Sequence, residues 1–321
     1  MRGRGGLAFV FGLMAAQPTQ AEPLAVAVHR IENFSLTGAD SGGALTFLGG
    51  LQLTADHSEF GGFSGVAVEP DGASVLLLND SGSVVRARLV HDAGRLAGIA
   101  DAEIDNLLPG DLSKQSGDTE DIAFDPSDPT RGVVVRERQA NAMLSFKMVD
   151  GRPADFRPER VGADDRTLRS NLGLESVAYA PAASPIAGAI VAIAERPPRG
   201  QENIPGWIAG AGSFEIVRRD NFDVSSARFL DNGDLLLLER RFAPAWGIGM
   251  RLRRIVGDQV KVGARLDGEI LLDAGMTSQI DNMEGLAVQQ DAAGGAILTI
   301  VSDDNHNAFQ RTLILQFALS P

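Results

Sequence analysis

Short apolar runs alternate with turn-forming residues along nearly the whole chain, and five pairs of these runs repeat one another. Each pair opens with a small or acidic residue and a short apolar stretch. It then passes a turn and closes with a second apolar stretch ending in an acid. The pairs are 64–68 with 76–80, 120–124 with 133–137, 175–179 with 190–195, 225–229 with 235–239, and 284–288 with 298–303. Their first residues, Ser64, Glu120, Glu175, Ser225 and Glu284, are 56, 55, 50 and 59 positions apart. That period is too long for a helical repeat and suits a four-stranded propeller blade. Continuous apolar runs of this length read as inner strands packed on both faces. Pro70-Asp71-Gly72 and Asp231-Asn232-Gly233 stand where the strands must reverse, with glycine to take a positive φ.

The pattern therefore predicts an all-β fold, a β-propeller with a central channel. Two further strand-like segments, 24–31 and 44–53, would make a sixth unit closed by a C-terminal strand over 313–319. Six blades is the expectation and five the alternative. Segments 204–213 and 242–250, which contain Trp207 and Trp246, read as loops over one face.

Composition agrees with this picture. Of 321 residues, 44% are hydrophobic and 22% charged, which is ordinary for a globular protein, and 37 glycines and 15 prolines are spread through the chain as many tight turns require. The net charge of −13, with no basic cluster, speaks against nucleic acid as a partner. No cysteine is present, so disulfides and thiol chemistry are excluded and stability must come from packing or bound metal. Arg2 and Arg4, an apolar stretch over 7–16 and Thr19-Gln20-Ala21 read as a signal peptide over residues 1–21, with one mature domain over 22–321. The expected address is periplasmic or secreted. The apolar stretch is too short to span a bilayer and nothing later is long enough, so no membrane span is expected. Monomer is the expected state.

Within each unit the first strand starts, and the antiparallel second strand ends, at the same end of a hairpin. Radial repetition would then gather Glu120, Glu175 and Glu284 with Asp80, Glu137, Glu195, Glu239 and Asp303 on one acidic rim of the channel. Carboxylates so crowded raise one another's pKa and need compensation. Arginines are one source: Glu137-Arg138, Glu195-Arg196 and Glu239-Arg240 repeat an acid followed by arginine, and Arg311 is near the fifth unit. A hard divalent cation such as Ca²⁺ is the other, with Glu120, Glu175, Glu284, Asp303 and Asp80 as its oxygen ligands. With four histidines in the chain, zinc is disfavoured. His306, in Ser302-Asp303-Asp304-Asn305-His306-Asn307, is a further candidate for a direct role. The competing reading makes the strand-end acids staples between blades.

Several stretches resemble one known family, called phytase-like or esterase-like activity of phytase. They are Glu120-Asp121-Ile122-Ala123, residues 171–178, Leu235-Leu236-Leu237-Leu238-Glu239-Arg240-Arg241-Phe242, Asn282-Met283-Glu284-Gly285-Leu286-Ala287, and Ser302-Asp303-Asp304-Asn305 through Gln310-Arg311-Thr312. The resemblance implies a secreted or periplasmic propeller that hydrolyses phosphate or other esters of small molecules. Glu284-Gly285 is also similar to the step that opens six-bladed lactonase and gluconolactonase propellers, where such a glutamate holds calcium; Asp121 and Ser176 replace the glycine elsewhere. On this reading the cation polarises the ester while Arg138, Arg196, Arg240 or Arg311, with His306, serves the catalytic site. The alternative is a non-catalytic periplasmic ligand-binding or scaffold propeller.

Overall fold

The computed structural model describes residues 21–37, 43–69, 72–108, 118–137, 142–162, 173–243, 247–290 and 294–320. The expected signal peptide lies outside them except for Ala21, as do Arg138 and Trp246. The described residues fold into five antiparallel-based sheets. Each opens on one of the repeated apolar runs: Phe63–Val68 in blade 1, Thr119–Asp125 in blade 2, Leu174–Tyr179 in blade 3, Asp223–Phe229 in blade 4 and Asn282–Gln290 in blade 5. These innermost strands touch one another in turn, and the fifth touches the first, so the ring closes at five blades.

The sixth blade expected from the sequence does not form. Leu45–Ala55 and Val26–Ile31 are the fourth and fifth strands of blade 5, added outside Thr312–Leu319. The segments expected to make a sixth unit do pair with the C-terminal strand, but in the sheet that the fifth repeat had already begun. Pairing the two ends of the chain in one sheet gives blade 5 its outer strands and ties the ring closed. The segments read as loops are also strands: Ile204–Ile208 and Gly212–Ile216 complete blade 3, and Gly247–Ile255 lies in blade 4. Trp207 is buried in the core. The turn glycines behave as expected, with φ of 72° at Gly72 and 93° at Gly233.

The apolar core lies between neighbouring blades. Val66, Leu77, Val85 and Leu89 of blade 1 pack on Val301 and Ile314 of blade 5, and Leu76 and Leu78 on the other face of blade 1 meet Ile122, Val134 and Phe146 of blade 2. A middle strand that is apolar on both faces is therefore what a blade requires, which is why the runs showed no alternation. No helix among the described residues is long and apolar enough to cross a membrane.

One irregularity recurs in every blade. The ladder between the first and second strands is broken by one extra residue on the first strand, and that residue is the first of the repeat: Ser64, Glu120, Glu175, Ser225 and Glu284. A bulge of this kind leaves its residue unpaired in the ladder and re-aims the side chain.

Candidate functional site

The five bulges face one end of the channel, where a cavity of about 1070 Å³ opens. Ser64, Glu120, Glu175 and Glu284 line it, together with residues in or just after the rim ends of the second strands: Asp80, Glu137, Glu195, Arg240 and Asp303. Blade 4 departs from the pattern on both counts. Its bulge residue Ser225 is buried and donates to the carbonyls of Leu238 and Met283, and its rim position carries Arg240 in place of an acid. Glu239, expected on the rim, sits one residue earlier, opposite Val224. A one-residue offset in a strand turns the side chain to the other face. Glu239 accordingly points into the blade and pairs with Arg253, both with no exposed side-chain surface.

Arg240 is the hub of one side of the cavity. Its guanidinium lies 2.9 Å from Glu284, 3.0 Å from Glu195 and 3.7 Å from Glu175, and its NH1 donates to Asn282 Oδ1 at 3.3 Å. Arg196 pairs with Glu195 and, at 3.3 Å, with Asp223. The arginines described in the cavity wall, Arg196, Arg240 and Arg241, all come from blades 3 and 4. Blades 1 and 2 contribute Asp80, Asp118, Glu120 and Glu137. In Asp118, Glu120 and Glu137, one carboxylate oxygen from each lies within 4.8 Å of the other two.

The electrostatics follow from this division. Burial pushes the Glu120 carboxyl well above the usual carboxylate range, and the charges of Glu137 and Asp118 push it further. Glu175 is raised by burial and then by Glu120 and Glu195, against Arg240, which opposes the shift. Glu284 is pushed up to about 8, mainly by burial, although Arg240 pulls it down. Asp303 is raised to about 6, again chiefly by burial. These last two meet at Asn282, whose Nδ2 donates to Glu284 at 2.8 Å and reaches Asp303 at 3.5 Å. Within this pair the proton is therefore held more tightly by Glu284 than by Asp303, with the Asn282 amide between them.

Behind this cup the channel is plugged. At the fourth position of the repeat, four blades carry alanine, namely Ala67, Ala123, Ala178 and Ala287, and blade 4 carries Arg228. The buried Arg228 fills the space that four missing side chains leave. Its NH2 donates to Asp121 Oδ1 at 2.6 Å and to the carbonyls of Val66 and Ile122, and its NH1 donates to Asp121 Oδ2 and the carbonyls of Val177 and Ala227. Ser176 also donates to Asp121, which has no exposed surface. The cup is therefore blind, and the smaller hollow containing Tyr179, at the other end of the channel, is walled off from it by Arg228. The signal for this plug in the sequence is the single arginine in a column of alanines.

The residues singled out from the sequence divide cleanly. Glu120, Glu175, Glu284, Asp303, Asp80, Arg196 and Arg240 line the cup. Arg311 does not; it is turned behind blade 5, donating to Gln279 Oε1 at 2.9 Å and the carbonyl of Ile280. His306 also lies outside the wall, in a turn at φ 47° where its amide donates to Asp304. Arg138 falls outside the described residues. Asp118, just ahead of the second repeat, was missed; its place in the acidic cluster depends on the bulge at Glu120.

A five-bladed β-propeller with a blind, carboxylate-lined cup is the class that fold and site define. The family model described as Phytase-like, esterase-like activity of phytase, matches residues 58–306, and the chain belongs to that family. No curated protein matches it. Among solved structures, the chain is similar to one described as an oxidoreductase (glucose dehydrogenase) from Thermus thermophilus, at 18% identity over 90% of this chain and 100% of that one, with a TM-score of 0.37. It is also similar to a chain of the COPII outer coat vertex on membranes, at 10% identity over 83% of this chain and 67% of that one, with a TM-score of 0.41.

Proposed function

We propose that the protein is an exported hydrolase of small-molecule carboxylic or phosphate esters, working in the blind cup with a divalent cation, Ca²⁺ in the first instance. The observation that carries this reading is the polarised wall: arginines on blades 3 and 4 face a carboxylate cluster on blades 1 and 2. The fit to a cation rests on the donor set. Asp118, Glu120 and Glu137 offer hard oxygen ligands close enough to share one ion, and their mutual repulsion is what an ion would relieve. A cation held there supplies Lewis acidity toward an ester carbonyl or phosphoryl oxygen.

The chain's own residues supply the rest. Arg240, fixed by Glu195 and Glu284, presents its positive edge to an anionic group or developing oxyanion. Glu284, which holds its proton more tightly, can give it to a leaving oxygen, and Asp303, which holds its own less tightly, can accept one. The blind floor made by Arg228 and Asp121 keeps the substrate at the mouth. Export is supported by the basic, apolar and small-residue order of residues 1–21.

The test is hydrolysis of an aryl acetate and an aryl phosphate with Ca²⁺, Mg²⁺ or Mn²⁺ against chelator. Cation-dependent turnover that is lost in Glu120→Gln, together with a melting temperature raised by Ca²⁺ in the wild type but not in that variant, is the expected result. An ion at a hundredfold excess over Kd adds about 2.7 kcal/mol of stability. Absence of turnover under every condition would leave the non-catalytic binding propeller in its place.

A further inference from the structure

The largest apolar side chains left in water are not scattered over this protein. Phe309 is 95% exposed, Phe242 76% and Met276 64%, the three highest values among the large hydrophobic side chains of the described residues, and all three line the cup. Leu36, the next at 59%, lines a different hollow and is linked to this region by its amide, which donates to the carbonyl of Thr277, the residue after Met276. Isolated exposed apolar residues are ordinary, but a cluster around the mouth of a polar cavity marks a binding surface.

The lip is built rather than accidental. Phe309 is carried outward by a turn in which its amide donates to Asn307 Oδ1 at 3.0 Å and the Gln310 amide donates to the Asn307 carbonyl. Phe242 ends the second strand of blade 4, paired with Ile248, which also lines the cup. Met276 lies over Gly247, where φ is 71° and a Cβ would come within 2.6 Å of the Met276 sulfur. The lip therefore rises from blades 4 and 5, which also carry Arg240 and Glu284, while the acidic cluster belongs to blades 1 and 2.

From this juxtaposition we propose that the substrates are amphiphilic esters, whose reacting group enters the cup while an extended acyl or aryl group lies along Phe242, Met276 and Phe309. The proposal rests on the hydrolase reading of the same cup. A wholly polar, highly phosphorylated molecule would leave the lip in water and bring its charges against the surrounding carboxylates. An apolar tail gains burial on the lip and leaves only one polar group to be matched inside.

Two measurements on the full mature chain test this. The first is kcat/KM for p-nitrophenyl acetate, butyrate, hexanoate and octanoate, in the wild type, in the triple variant Phe242→Ser, Met276→Ser, Phe309→Ser, and in Val256→Ser. Val256 is another exposed apolar residue, at the end of the blade 4 strand away from the cup. The wild type and Val256→Ser should gain about fourfold per added methylene until the lip is covered, and the triple variant should lose that slope. A wild-type rate independent of chain length, or an unchanged slope in the triple variant, overturns the proposal.

The second measurement needs no turnover: calorimetric binding of octyl glucoside below its micellar concentration, compared with methyl glucoside. Binding of the octyl compound alone, lost in the triple variant, supports the lip as an apolar seat even if every ester is refused, in which case only the hydrolase reading fails. No binding of the octyl compound overturns the proposal, and so does lip-dependent binding to phosphatidylcholine vesicles without binding of the monomeric amphiphile.

Discussion

Replacing Glu284 by glutamine should be nearly silent at pH 5 and stabilising at pH 8. The folded carboxyl keeps its proton up to about pH 8, because it is buried, whereas its ordinary value is 4.5. Between those two values the unfolded chain binds fewer protons than the folded one, so stability falls as the pH rises through the window. For this one group the loss from pH 5 to pH 8 is about 3 kcal/mol, at about 1.4 kcal/mol per pKa unit. Glutamine has nearly the same shape, can accept the Asn282 hydrogen bond and does not ionise, while Arg240 keeps Glu195 at 3.0 Å and Glu175 at 3.7 Å. At pH 5 the variant should therefore lie within about 1 kcal/mol of the wild type. At pH 8 it should be the more stable by about 3 kcal/mol, and by more if removing its charge also eases the ionisation of Glu175, which it opposes. Urea denaturation of both proteins in chelator at pH 5, 6.5 and 8 reads this directly. Parallel pH dependences would refute the placement of Glu284 in a desolvated site. A wild type that gains stability steadily from pH 5 to pH 8 would refute the sign.

Three other outcomes follow from the same structure. Asp121→Asn or Arg228→Met should each cost about 3–5 kcal/mol in chemical denaturation, by stranding a buried charge, and the double variant should cost less than the sum. Glu239→Gln should lower stability by about 2 kcal/mol, because Arg253 loses its fully buried ion pair and keeps only Asp267 and the Val217 carbonyl, while leaving Ca²⁺ binding unchanged in a titration. Protein recovered from the periplasm should show by intact mass a chain beginning at Glu22, and a retained Met1 would remove the export argument.

The repeat was legible because a propeller blade imposes the same demands five times. Its second strand must be apolar on both faces, and the residue opening its first strand must suit a bulge at the channel mouth, so Ser64, Glu120, Glu175, Ser225 and Glu284 could be read off by spacing alone. Fold class, family resemblance and most of the cup's carboxylates came from that local regularity. What spacing could not decide were matters of non-local pairing and of single-residue phase. Five blades rather than six depended on where Leu45–Ala55 would find a partner, and any exposed edge offers the same backbone hydrogen bonds to a strand. Glu239 and Arg240 are adjacent in sequence, yet the alternation of side chains along their strand sends one into a dry pair with Arg253 and the other into the cup. Arg228 became the floor of the channel because alanines on four other blades, each more than forty residues away in the chain, left it room, and the carbonyls of Val66, Ile122 and Val177 were there to meet it. The sequence by itself determined the repeated unit, since each unit's pattern answers to neighbours a few residues distant. Only the tertiary structure decided which side chains of different units meet, because burial, and with it the raised carboxyls and the blind cup, is a property of the closed ring.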